Sequence, residues 1–238
     1  MKNSTILAMD AAGAACSAAL WRDGAVVARC LEPMQRGQSE RLVPMVQQVM
    51  GEARARYADL DAIAVTLGPG GFTGVRIGLA TARGFALACE RPLIGISNFL
   101  ALAAAAVRDE TRAGHWLAVL IDAKRDDLYV QAFDGELRPQ TEPASVTTER
   151  LDGFLPDGPL VLAGDGVPQA LAALEAAGRR FVVSEGPGLT DAARVAELAA
   201  SQAPPPADAP APRPLYLRPP DVTQPAKTGA DERGEIRG

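Results

Sequence analysis

Apolar positions along this chain follow two alternating rhythms. Thr5–Asp10 is a short apolar run with the length of a buried strand. Ser17–Arg22 is a second run after a turn of small residues, and Asp23-Gly24 is a hairpin signal leading into a third, Ala25–Cys30. Three strands in succession predict an antiparallel meander. The period then lengthens. Leu42, Val46, Val49, Met50 and Ala53 recur at helical spacing between Ser39 and Arg56, with Ser39 as the expected N-cap and Glu40 favourable in the first turn. Pro44 falls early enough in that helix to be tolerated, or it kinks it. Val43 and Met45 widen the apolar surface beyond one stripe, which predicts burial on two sides or against a partner. Ala62–Thr66 then reads as a strand, Thr73–Cys89 as a helix, Leu93–Ile96 as a strand and Asn98–Arg108 as a helix.

The second half echoes the first in shorter form. Leu117–Asp122, Leu128–Phe133 and Leu160–Ala163 read as strands, and Gln169–Ala177 and Asp191–Ser201 as helices. The expected organisation is an N-terminal β-β-β-α-β-α-β-α lobe at 1–110 and a smaller α/β lobe at 111–201. Residues 202–238 follow as a Pro-rich linker, a small apolar clip at Leu215–Arg218 and a polar tail, with Pro225–Gly238 expected to be disordered.

Glycine and proline concentrate at one crossing, Gly68-Pro69-Gly70-Gly71-Phe72-Thr73-Gly74-Val75-Arg76-Ile77-Gly78, between a strand and a helix. Thr73 is the expected N-cap, and free N–H groups there could face an anion or a partner chain. The stretch lacks the Gly-Lys-Ser/Thr ending of a P-loop, and a GxGxxG reading from Gly68 puts Thr73 where the last glycine belongs. Phe72 reads as a core plug beneath the loop, or as an aromatic anchor. Beyond the loop, Gly74, Gly78, Ala82 and Ala86 recur every four residues on one helix face. Ile77, Ala80 and Gly84 broaden that face, and Arg76 and Arg83 flank it. Small residues there allow close packing on the chain's own sheet or on another protein.

Composition narrows the function classes. Aromatic residues make up 5% of the 238, so the core rests on Leu, Val, Ile and Ala. A net charge of −5 argues against binding nucleic acid through a broad basic surface of its own. Cys16, Cys30 and Cys89 form no CxxC pair, so neither a zinc knuckle nor a disulfide framework is suggested, and a reducing cytosol is the natural setting. Lys2 with the apolar run up to Cys16 mimics a lipoprotein signal, but Asp10 interrupts it, and a buried first strand explains it better. No run approaches the roughly 20 apolar residues of a membrane span.

Candidate chemistry is sparse. His115 is the one histidine, which leaves a metalloprotease or a histidine-dependent triad without ligands or base. Gly95-Ile96-Ser97-Asn98-Phe99 starts like a nucleophile elbow but lacks its closing glycine. Asp126-Asp127, after Lys124-Arg125, reads as a solvated turn.

Four segments carry a family resemblance: GPGGFTGVRIG at Gly68–Gly78, DAAGAACSAAL at Asp10–Leu20, GQSERLVPMV at Gly37–Val46 and PLYLR at Pro214–Arg218. Together they resemble the TsaB (YeaZ) family, the accessory subunits of bacterial tRNA threonylcarbamoyladenosine synthesis. The resemblance implies the two-lobed α/β actin, hexokinase and Hsp70 ATPase fold, built on ribonuclease H-like repeats, with the second lobe reduced. It implies a cytoplasmic, non-catalytic subunit that supports TsaD in modifying adenosine 37, with TsaE as a further partner and a homodimer in the absence of TsaD. It implies a partner interface on the two helices, with Ser39, Leu42, Met45, Val46, Val49, Gly74, Arg76, Ile77, Gly78 and Ala82 as candidates. It implies no cofactor of the chain's own, with ATP or ADP at the partner interface and Asp10, Gly70, Gly71 and Thr73 as candidate contacts. Gln38 stands near a family-typical histidine position and Gly71 replaces a family-typical serine. In ATPases of the implied fold an Asp and a phosphate-binding hairpin occupy the place of Asp10 and Ala11–Ala15, and Asp122 is the matching position in the second lobe. A different function class, a phosphotransferase or ATP hydrolase using Asp10 and Asp122 with Mg²⁺, follows from the same two residues.

Overall fold

The computed structural model describes residues 4–107, 114–186, 188–206 and 209–218. The expected disordered tail from Pro225 lies outside them. The first sheet holds β1 (Ile6–Asp10), β2 (Ala15–Arg22), β3 (Ala25–Pro33), β4 (Ala62–Thr66) and β5 (Leu93–Ile96), in the order β3-β2-β1-β4-β5. The hairpin forms as its sequence predicts. Asp23 and Gly24 both take positive φ, 51° and 92°, which matches the twist of the flanking antiparallel strands. β1 then pairs parallel to β4, and β4 to β5, through helical crossovers. The second sheet holds β6 (Trp116–Asp122), β7 (Asp127–Phe133), β8 (Ala144–Thr147), β9 (Leu160–Ala163) and β10 (Phe181–Val183). Its order β8-β7-β6-β9-β10 reproduces the first sheet strand for strand. Asp10 and Asp122 therefore occupy equivalent places, each closing the central strand of its sheet.

Helices fill the layers. α1 (Gln38–Glu52) and α2 (Phe72–Cys89) cover the outer face of the first sheet, with Leu42, Met45, Val46 and Val49 packed among Leu7, Met9, Leu20 and Val65. α3 (Asn98–Ala106) lies toward the second sheet, where Phe99, Leu102 and Ala103 meet Leu117, Val119 and Ile121. α4 (Leu151–Phe154) and α5 (Val167–Ala176) cover the far face of that sheet. α6 (Ala192–Ser201), placed in the second lobe by chain order, packs on the first sheet: Ala192, Val195, Ala196 and Ala199 lie against Ile6, Ala8, Ala19 and Ala64. Alanine on both sides lets the helix sit close to the strands.

Three sequence expectations need correction here. Neither Ser39 nor Thr73 caps its helix. The caps are Gly37 and Gly71, with no side-chain cap bond, and both expected caps lie inside the first turn. Asp127 is not part of a solvated turn. It opens β7, and its carboxylate is buried.

Candidate functional site

A cleft of about 500 Å³ opens between the two sheets at the ends of β1 and β6. One wall is the Ala11–Ala14 turn with the first turns of α1 and α2; the other is Ile121–Lys124, Tyr129 and Asp165. Two helix N-termini therefore line one cleft, where unpaired N–H groups and the helix dipole favour negative charge.

Glycine makes this wall possible. A methyl on Gly70 would fall on the Ala12 carbonyl, and one on Gly74 on the Ala11 carbonyl. The Gly71 N–H donates to Ala12 O at 2.8 Å, which fastens the loop to the turn after β1. The second half repeats the device: Gly166 N–H donates to Leu120 O at 3.0 Å, and Gly164, at φ 107°, leaves no room for a side chain against that same carbonyl.

Gly70, Gly71 and Thr73, the other candidate nucleotide contacts, line the cleft. Asp10 does not. It is fully buried behind Ala11 and Ala12, and its Oδ1 accepts from Thr66 Oγ1 at 2.5 Å, Asn98 Nδ2 at 3.0 Å and Ala12 N at 3.3 Å. Asn98 ties the knot further: its Oδ1 accepts from Gly68 N at 2.8 Å, and its Nδ2 also donates to Thr190 Oγ1 at 3.0 Å. Ser17 extends it to α6, donating to Thr190 O at 3.3 Å and accepting from Ala192 N at 2.9 Å. Asp10 Oδ2 has no hydrogen-bond partner. Burial pushes this carboxyl up to about 6, against the hydrogen bonds from Thr66 and Asn98 that pull it down. Asp10 thus joins β1, β4, α3 and the start of α6, and it does not itself line the cleft.

On the opposite wall Lys124 Nζ lies 2.7 Å from Asp122 Oδ2 and 3.8 Å from Asp165 Oδ2, while Asp165 Oδ1 accepts from Asp122 N at 2.9 Å. Burial works to raise the Asp122 carboxyl, but the Lys124 ammonium holds it below its usual value; burial raises Asp165. A lysine therefore stands between the carboxylates that a divalent cation would need. With Asp10 sealed away and Asp122 engaged by Lys124, the residues do not fit a metal-dependent phosphotransferase that uses this aspartate pair. Among the described residues no cluster of His, Cys, Asp and Glu is placed to hold a metal.

The candidate interface residues divide. Leu42, Met45, Val46, Val49 and Ala82 are completely buried in the monomer core, and Gly78 packs against Ala11 and Val65. Gly74 is half-buried against the Ala11 carbonyl, where it also lines the cleft. The apolar excess of α1 and α2 is therefore spent largely on their own sheet. Ser39 and Arg76 are exposed and Ile77 is half-buried. The outward surface of the pair carries Val43 at 38% exposure, one of the residues that widen the apolar surface of α1, with Pro44, and Leu87 at 82%, which the helical spacing did not single out. Ala80 and Gly84 lie exposed along α2, in the turns before Leu87. Open space surrounds the Gly84 Cα, so no packing within the chain requires glycine there. In a helix interior glycine costs about 1 kcal/mol relative to alanine.

Twin sheets of identical strand order, joined by a glycine-tight cleft, define a two-lobed α/β protein of the actin and hexokinase kind. The Clostridium difficile activator of 2-hydroxyisocaproyl-CoA dehydratase, solved with bound ADPNP, is similar at this level alone. It is 12% identical with a TM-score of 0.50, over 82% of this chain and 94% of that one. More specific matches accompany it. The sequence model of the family TsaD: tRNA N6-adenosine threonylcarbamoyltransferase matches residues 32–163, more than half of the chain. YeaZ from Pseudomonas aeruginosa is 31% identical with a TM-score of 0.73, over 90% of this chain and all of that one. The Escherichia coli tRNA threonylcarbamoyladenosine biosynthesis protein TsaB is 44% identical over 124 residues, 52% of each chain. The match spans about half the length of that curated relative. The chain belongs to the TsaB (YeaZ) family.

Proposed function

We propose that this chain is the non-catalytic partner of a TsaD-type transferase in forming N6-threonylcarbamoyladenosine at position 37 of tRNA. The observation that carries the reading is the exposed strip of small and apolar residues on α1 and α2, Val43, Pro44, Ala80, Gly84 and Leu87. A mid-helix glycine with open space above it lets another backbone come close, and a largely exposed leucine one turn on gains by being covered. A match to the transferase's own family model supports the pairing, because two chains of related fold can meet through equivalent helix pairs. The reading places the protein in the cytoplasm, and among the described residues no helix is long and apolar enough to cross a membrane. TsaE is a further partner in this reading, and a homodimer through the same strip forms when the transferase is absent.

The cleft has the volume of a small-ligand site, and ATP or ADP at the assembled interface would meet the first turns of α1 and α2 through Gly70, Gly71 and Thr73. Asp10 has no part in such binding.

The test is size-exclusion chromatography with light scattering on mixtures with TsaD. Ala80→Arg and Leu87→Asp change exposed side chains and leave the melting temperature within about 2 °C. Each is expected to weaken the complex by about 100-fold or more, the effect of truncating or charging a central interface position. Undiminished co-elution of both variants would overturn the docking face. By contrast Val46→Asp would test stability, not docking, since it buries a charge in the core.

A further inference from the structure

The segment Pro212–Arg218 crosses from one half of the molecule to the other. On the first half, Arg83 donates to Pro212 O at 2.7 Å, and the Leu215 N–H donates to Leu67 O at 2.7 Å, just before the glycine loop. Tyr216 is 39% exposed and rests on Phe72, ring centroids 5.1 Å apart. Arg76 secures that pair: its guanidinium lies 3.6 Å from the centre of the Phe72 ring, and its Nε donates to Tyr216 OH at 3.1 Å. On the second half, Leu215 and Leu217 pack on the cluster of Phe99, Leu117, Val119 and Ile121. Arg218 then pairs with Asp127.

That last contact is the strongest physically. Asp127 is 3% exposed, its Oδ2 also accepts from Ser145 Oγ, and its Oδ1 has no partner. A carboxylate buried to this degree needs a cation, and Arg218 supplies it. The tail is therefore held to β7 by an ion pair with a buried carboxylate, and to α2 by the Tyr216–Phe72 ring contact and the Arg76–Tyr216 hydrogen bond. Between these anchors the loop Pro69–Phe72, the turn Ala123–Arg125 and the tail enclose a space of about 420 Å³ beside the main cleft.

We propose that Pro212–Arg218 is a latch that fixes the angle between the two sheets and so the width of the cleft. The glycine loop and the Asp122–Asp127 turn are the opposing lips of that cleft, and the tail touches or adjoins both. Releasing it frees each lip at once. The inference stands on contacts within this chain and does not depend on the docking reading.

Hydrogen–deuterium exchange on the full chain tests it. Arg218→Gln combined with Asp127→Asn removes the ion pair without leaving a buried charge unpaired. Tyr216→Ala opens the stack at a surface position where folding is not at stake, and carries the test alone should the double variant fail to fold. Both are expected to speed exchange about tenfold in 68–73 and also in 123–127, while β1 and β9 keep their protection; one broken ring contact or charged hydrogen bond is worth that factor. Faster exchange confined to 212–218, or to the loop alone, would make the tail a passive passenger and overturn the latch. Unchanged exchange throughout would overturn it equally.

Discussion

Gly74→Val is expected to lower stability by about 3 kcal/mol, the upper end for forcing atoms into a packed interior. The new side chain would collide with the Ala11 carbonyl. That atom is backbone, in the turn directly after the central strand, and it cannot rotate away as a side chain could. Relief requires α2 to lift from the sheet, which also pulls Gly71 N–H from Ala12 O. For a chain of this size the loss corresponds to a drop of roughly 6–12 °C in melting temperature. Gly84→Ala, ten residues along the same helix, is the control. No neighbouring atom meets a methyl there, so alanine should raise stability by up to about 1 kcal/mol. Opposite signs in thermal melts identify two different uses of glycine on one helix. Equal losses at both positions would sink that distinction.

The second large effect is a pH dependence set by Asp10. Its carboxyl is raised from 3.8 to about 6 because burial penalises the charged form. Below about pH 4 the folded and unfolded chains both carry the proton. Between about pH 4 and 6 the unfolded chain releases it while the folded chain keeps it, so the unfolded state gains with each step. Above about pH 6 both are ionised and the loss is complete, about 3 kcal/mol in all. Asp10→Asn keeps an oxygen to accept from Thr66 and Asn98 and has nothing to ionise. Urea titrations from pH 4 to 7.5 should show the stability of the parent falling by about 3 kcal/mol relative to the variant. A difference that stays flat across this range would show that Asp10 ionises as freely in the fold as in the open chain. Carboxylates held down by partners, such as Glu32 by Arg41, act in the opposite direction at lower pH, and the comparison with the variant cancels them.

Local patterns in the sequence were legible. The hairpin at Asp23-Gly24, the meander followed by alternating helices and strands, and the glycine crossing before α2 all follow from rules that span a few residues, and all form. What escaped depends on which remote residues meet. Helical spacing marked Leu42, Val46 and Val49 as one apolar face but could not say whether sheet or partner would cover it; the sheet does. Asp10 marks the end of a strand in the sequence. Its partners Thr66 and Asn98 lie 56 and 88 residues away, and no spacing rule reaches that far. Asp127 looked solvated because its chain neighbours are charged, yet its neighbours in space are Ser145 and a tail arginine 91 positions on. The pull on Asp122 was invisible for the opposite reason: Lys124 is only two positions on in the sequence, but only the turn after β6 brings its ammonium between Asp122 and Asp165.

The return of α6 to the first sheet governs how the protein can emerge from a ribosome. Strands β1–β5 are all translated before Ile96 is passed, yet the surface made by Ile6, Ala8, Ala19 and Ala64 has no lid until Ser201 has been added. The earlier-made half must therefore wait, greasy side uncovered, through the synthesis of the whole later half. A nonsense codon near Gly186 would leave the second sheet's strands intact and strip the cover from the first.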